Sequence, residues 1–153
     1  MSVPFISLRN VNKHYAEDSD SGVSEINLNI SKGDFIAIVG ESGSGKSTLL
    51  KLIYGSLSPD SGEVYFKETK VMGPEEKLIP GHDSMKMLSQ DFNLNTYAKV
   101  YENIASMLSN EDIKRKEELS SKIMDLLGIG HLANKRAVEL SGGEQQRVAL
   151  ARA

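Results

Sequence analysis

The run Gly40-Glu41-Ser42-Gly43-Ser44-Gly45-Lys46-Ser47-Thr48 constrains the fold of this chain more than any other stretch. The spacing Gly-x-x-x-x-Gly-Lys-Ser marks a phosphate-binding loop when a buried strand precedes it and a helix follows. Both flanks read that way. Phe35-Ile36-Ala37-Ile38-Val39 is a continuous apolar run that suits a strand covered on both faces. A helix is expected from Ser47 to about Tyr54, with Gly55 as its stop. Strand, loop and helix in that order point to an α/β fold of the phosphate-loop class that holds a nucleoside triphosphate.

The chemistry follows from the residue types. Gly40, Gly43 and Gly45 can take positive φ and place no side chain in the way, so backbone N–H groups can converge on phosphate oxygens. Glu41, Ser42 and Ser44 fill the positions between them and belong to the same cradle. The start of the helix adds its partial positive charge. Lys46 brings a full charge to the β- and γ-phosphates, Ser47 offers a hydroxyl to Mg²⁺, and Thr48 is placed to support the α-phosphate.

Elsewhere the pattern is readable in outline. Residues 5–11 read as a first strand, and 16–22, Ala-Glu-Asp-Ser-Asp-Ser-Gly, as an acidic flexible turn. Ile26, Leu28 and Ile30 alternate with Asn27, Asn29 and Ser31, the period of a strand with one buried face. After the turn at Lys32-Gly33-Asp34 and the phosphate loop come a turn at 58–62, a strand from Glu63 to Lys67, and a core strand from Met85 to Ser89. The pattern turns helical from about Lys99. Leu119, Ile123, Leu126 and Leu127 form one apolar stripe closed by Gly128.

Composition narrows the class of function. A net charge of −3 gives no broad attraction to nucleic acid or anionic lipid, so no nucleic-acid partner is expected. No cysteine is present, which excludes disulfides and thiolate metal sites. Phe35–Val39 falls far short of the ~20 residues of a spanning helix. Work at a membrane therefore requires a partner there.

A second motif, Leu140-Ser141-Gly142-Gly143-Glu144-Gln145-Gln146-Arg147, runs on into Val148-Ala149-Leu150-Ala151-Arg152-Ala153. Ser141 with Glu144 three residues on is a capping box, so a helix starts there. Gly142 and Gly143 leave its first N–H groups open to an anion.

With both motifs in place, the chain resembles the ATP-binding subunit of bacterial ABC transporters over essentially its whole length. The resemblance implies an antiparallel β subdomain with a partial parallel core sheet around the phosphate loop in 1–89, a helical subdomain in 90–139 and the signature helix in 140–153. It identifies Gln90 with the family's Q-loop glutamine, which reaches Mg²⁺ and the attacking water and whose loop contacts the membrane subunit. Tyr15 is similar to the aromatic residue that stacks on adenine. Ser141, Gly142, Gly143 and Glu144 would cover the ATP held by Lys46 of a second nucleotide-binding subunit, paired head to tail. The implied location is cytoplasmic, on the inner face of the cell membrane, against permease subunits. One departure is Ala137-Val138, where many members carry a proline; a looser turn is expected there. His82-Asp83 and Lys114-Arg115-Lys116 read as turn and helix-surface residues.

The family's catalytic aspartate–glutamate pair and switch histidine come after the signature helix, and no such residues stand before Ala153. The expectation is therefore that these 153 residues bind nucleotide but do not hydrolyse it alone. Two other readings are a non-catalytic truncated product and an ABC-type ATPase without a transport partner.

Overall fold

The computed structural model describes residues 3–15, 18–110 and 112–153. They form two compact units, residues 1–86 and 87–153. The first is built on a four-stranded antiparallel sheet of β1 (Ile6–Tyr15), β2 (Asp18–Ile30), β3 (Ser61–Phe66) and β4 (Thr69–Lys70), in the order β2-β1-β3-β4. Helix α1 (Lys46–Tyr54) packs on it. Leu8, Val11, Val23, Leu52, Val64 and Val71 make the core.

Leu8 and Val11 are both buried although an odd spacing should send them to opposite faces. A register shift between them resolves the conflict: Leu8 pairs with Leu28 and Val11 with Ile26. Asn10 and Glu25 take positive φ of 48° and 52° at this irregularity. Asn27 Oδ1 accepts the Asn10 N–H at 3.0 Å and Asn12 Oδ1 accepts the Glu25 N–H at 2.7 Å, so side chains satisfy the amides the bulge frees.

The alternation at Ile26, Leu28 and Ile30 is as expected, with Asn27 and Asn29 exposed. The acidic segment differs. Residues 18–22 are strand, not turn, with Tyr15 opposite Asp18 and His14 opposite Gly22; Ala16 and Glu17 lie outside the described residues. The two expected core strands, Phe35–Val39 and Met85–Ser89, are not strands either. Phe35 is 96% exposed and Val39 88%. An apolar run becomes a strand only where a neighbour offers a ladder of N–H and C=O groups, and no described strand pairs with these segments.

The second unit holds α2 (Val100–Ala105), α3 (Ile113–Leu126) and α4 (Gly142–Arg152) around Val100, Ile104, Met124, Ile129, Leu132, Leu140 and Val148. Helix α3 was expected to bury Leu119 and Leu126, yet they are 44% and 78% exposed. Ser120 and Met124 are buried instead, with Ile123 and Leu127 half-buried beside them. The helical period is right and its phase is turned by about one residue, set by packing against Ile104 and Val148. Ala137-Val138 begin a 3-10 turn, Ala137–Glu139, and their N–H groups donate to Ala98 O at 3.1 Å and Thr96 O at 2.8 Å. The absence of proline thus fastens this turn rather than loosening it, because proline has no N–H to give.

Candidate nucleotide-binding site

The phosphate loop is positioned by a close approach between two backbones. Gly45 has φ 84°, and a Cβ there would lie 2.3 Å from Gly22 O and 2.7 Å from Val23 Cγ1 on β2. Only glycine allows the loop to seat on that strand. Gly43 also has positive φ, 85°; Gly40 does not, and its smallness serves Ser44, whose Oγ would sit 2.7 Å from a Cβ. The turn is closed by Ser44 N–H to Glu41 O at 3.2 Å, and α1 opens with Leu49 N–H to Gly45 O at 2.8 Å. The helix ends at left-handed Gly55, one residue after Tyr54, as its sequence foretells.

Within this loop the Lys46 ammonium donates to Gly40 O at 2.9 Å, Glu41 O at 2.5 Å and Ser44 Oγ at 3.4 Å. The lysine is therefore folded back over its own loop, its charge held by loop oxygens. Ser42 and Ser47 are exposed, and Thr48 is buried at 8% exposure. Tyr15, at the end of β1, places its hydroxyl 3.1 Å from Thr48 Oγ1. Strand β1 thus ends beside the first turn of α1, bringing Tyr15 to the phosphate loop.

Asp60 fixes that strand end, a role with no motif to announce it. Its Oδ2 accepts the His14 N–H at 2.7 Å and its Oδ1 the Lys13 ammonium at 2.6 Å. The His14 N–H, and after it the Lys13 ammonium, hold the Asp60 carboxyl below its ordinary pKa. Elsewhere in this unit, His82 packs against Phe66 with ring centres 4.5 Å apart and planes tilted by 44°, and Asp83 takes the Lys77 ammonium at 2.7 Å. Both are engaged in packing and pairing.

In the second unit, Gln90 is exposed in a tight loop, 89–93. The signature run starts α4 with the expected box: Glu144 Oε2 accepts the Ser141 N–H at 2.8 Å and the Ser141 hydroxyl at 2.6 Å. The hydroxyl and then the amide of Ser141 lower the Glu144 pKa. Ser141, Gly142 and Gly143 are exposed, and a Cβ at either glycine would meet open space. Gln145 braces the helix start from below, its amide donating to Ala137 O at 3.1 Å and Leu140 O at 3.2 Å.

Residues 23–153, which hold both motifs, match the family model described as ABC transporter. The chain belongs to the ABC transporter family. Among its ABC relatives, it is 36% identical over 150 residues to the spermidine/putrescine import ATP-binding protein PotA of Fusobacterium nucleatum, matching 97% of this chain and 38% of that protein. It is 37% identical over 152 residues to the Fe(3+) ions import ATP-binding protein FbpC 2 of Haemophilus influenzae, covering 98% and 42%. It is 35% identical over 153 residues to the cell division ATP-binding protein FtsE of Mycobacterium tuberculosis, covering 97% and 66%. The chain thus spans 38% to 66% of these relatives' lengths. A solved metal-chelate type ABC transporter in an inward-facing conformation shares the fold, with a TM-score of 0.76 at 23% identity over 99% of this chain and 56% of that one. Among the described residues no helix is long and apolar enough to cross a membrane.

Proposed function

We propose that this chain carries the ATP-binding half of an ABC transport engine. Two nucleotide-binding subunits would pair head to tail, and ATP binding and hydrolysis between them would move membrane-spanning permease subunits. The observation that carries this reading is the Lys46 ammonium, held by Gly40 O and Glu41 O within the glycine-rich loop that leads into α1. On binding ATP, Lys46 would exchange those carbonyls for β- and γ-phosphate oxygens, while residues 40–48 supply N–H donors. Mg²⁺, when bound, neutralises charge that develops on the phosphates; Ser47 and Gln90 would hold it, and the exposed Ser47 hydroxyl fits that role. Tyr15 would stack on adenine. Ser141 through Glu144 would close over the partner's γ-phosphate, a surface kept open by the two glycines.

Under this reading 1–89, 90–139 and 140–153 act as β subdomain with phosphate-loop core, helical subdomain and signature helix. The protein would work in the cytoplasm, peripheral to the inner face of the membrane through the Gln90 loop.

The test is a fluorescent-ATP titration of the complete protein alongside phosphate release. Lys46→Ala should abolish both. Ser141→Arg should leave nucleotide binding within about threefold and lower turnover by about 10²-fold or more, because it acts on a partner's nucleotide. Normal turnover in either variant would refute the proposal. A second reading, an ABC-type ATPase outside transport, is favoured by the likeness to a protein named for cell division. Co-purification with a multi-span membrane subunit that moves a solute separates the two.

A further inference from the structure

We propose that Arg152 is a positioning residue for the Gln90 loop, so that helix α4 carries the signature cap at one end and holds that loop at the other. This deepens the ATPase reading and rests on it for its kinetic part.

In the last turn of α4 the Arg152 Nη1 donates to the carbonyl of Asn93, three residues after Gln90. That carbonyl belongs to a strained loop. Phe92 and Asn93 both have positive φ, 56° and 48°. Non-glycine residues keep such angles only where their surroundings over-determine them. Here the loop closes on itself: Phe92 N–H to Ser89 O at 3.2 Å, Asn93 N–H to Asp91 O at 2.6 Å, and Asn93 Nδ2 to Ser89 Oγ at 2.9 Å. These bonds fix the loop's shape but tie it to no helix. Arg152 makes that tie. Its Nε is buried with no hydrogen-bond partner among the described residues, a desolvation penalty that the Asn93 contact must offset.

The exit of the loop is held separately by Asn103 of α2, which is buried and pairs with both the N–H and the C=O of Asn95. Gln90 therefore sits in a loop pinned at its far side by the signature helix. A force on Ser141 or Gly143 has a rigid path along α4 to the Asn93 carbonyl.

A merely structural arginine at a helix end would stabilise α4 without moving Gln90. The two roles separate in the complete protein. Arg152→Gln should raise amide exchange at Asn93 and Leu94 about tenfold or more, with the amides of Asn95, which Asn103 holds, and of Ile104 and Met124 unchanged. It should also lower kcat about tenfold with KM for ATP within about threefold. Added to Gln90→Ala it should lower kcat by no more than about twofold further, since both act through one group. Arg152→Lys, which keeps the helix-end charge and the aliphatic stem, gives the same readouts if Arg152→Gln does not fold. Unchanged exchange at Asn93 and Leu94, or losses that multiply with Gln90→Ala, would overturn the proposal. If turnover survives Lys46→Ala, the ATPase reading falls while the exchange measurement still decides the Arg152 contact.

Discussion

The hydroxyl of Tyr15 lies 3.1 Å from Thr48 Oγ1, joining the end of β1 to the first turn of α1. Ring and hydroxyl can therefore be tested apart. If the ring stacks on adenine, Tyr15→Phe should change the dissociation constant for fluorescent ATP by less than about twofold. Tyr15→Ala should weaken it by about 2- to 13-fold, the equivalent of a typical aromatic contact of about 0.5–1.5 kcal/mol. Equal losses in both variants would assign the effect to the Thr48 hydrogen bond instead.

Gly45→Ala is expected to be severe. A methyl group would press within 2.3 Å of the Gly22 carbonyl on a backbone at φ 84°. The loop must lift from β2 or the strand must yield, at a cost of about 2 kcal/mol or more. Nucleotide binding should be lost and the thermal midpoint lowered. Gly142→Ala, with open space around it, should leave the midpoint nearly unchanged. A stable, ATP-binding Gly45→Ala protein would contradict the close approach.

Asp60 provides a pH test. Its pKa is lowered in the fold, first by the His14 amide and then by Lys13. A carboxylate with a depressed folded pKa contributes stability that is complete above its unfolded value, about pH 4, and lost as pH falls through the lower folded value. Asp60→Asn should therefore be less stable than the parent at neutral pH, by about 1 kcal/mol or less for so exposed a pair. The difference should close on acidification below about pH 4. Thermal midpoints of both proteins across that range check the sign.

Asn103 is 3% exposed, and its amide meets Asn95 at two atoms, Lys99 O at 3.1 Å and Ala98 O at 3.4 Å. Asn103→Ala strands several of these backbone groups and should destabilise by about 2–3 kcal/mol. Asn103→Asp keeps the acceptor for the Asn95 N–H but loses every donor, so it should also be destabilised. Denaturant midpoints decide; a change under about 0.5 kcal/mol in both would remove Asn103 from this role.

The sequence made some features legible and hid others for identifiable reasons. The start and stop of α1, the Ser141–Glu144 box and the Leu127–Gly128 helix end were readable because each is decided by groups within a few residues of one another. The strands expected at Phe35–Val39 and Met85–Ser89 misled because apolar runs record a preference for burial, whereas a strand needs a paired neighbour. Leu119 and Leu126 had the right period, but only the neighbouring helices choose which face turns inward. Of the candidate site, the phosphate loop and signature stood out by spacing. Asp60, Asn103 and Arg152 did not, since a lone Asp in a turn or an Arg at a helix end has many ordinary uses.

By itself, then, the sequence determined where a glycine-rich loop and a capped helix form, and with them the family. Tertiary structure alone decided that Gly45 must be bare against Gly22, that Tyr15 reaches Thr48, and that Arg152 meets Asn93 across 59 residues of chain. The reason is one of range. Caps and loops are closed by hydrogen bonds between near neighbours, so residue order encodes them directly. Contacts between distant residues exist only after burial has brought whole elements together, and no local pattern records that step.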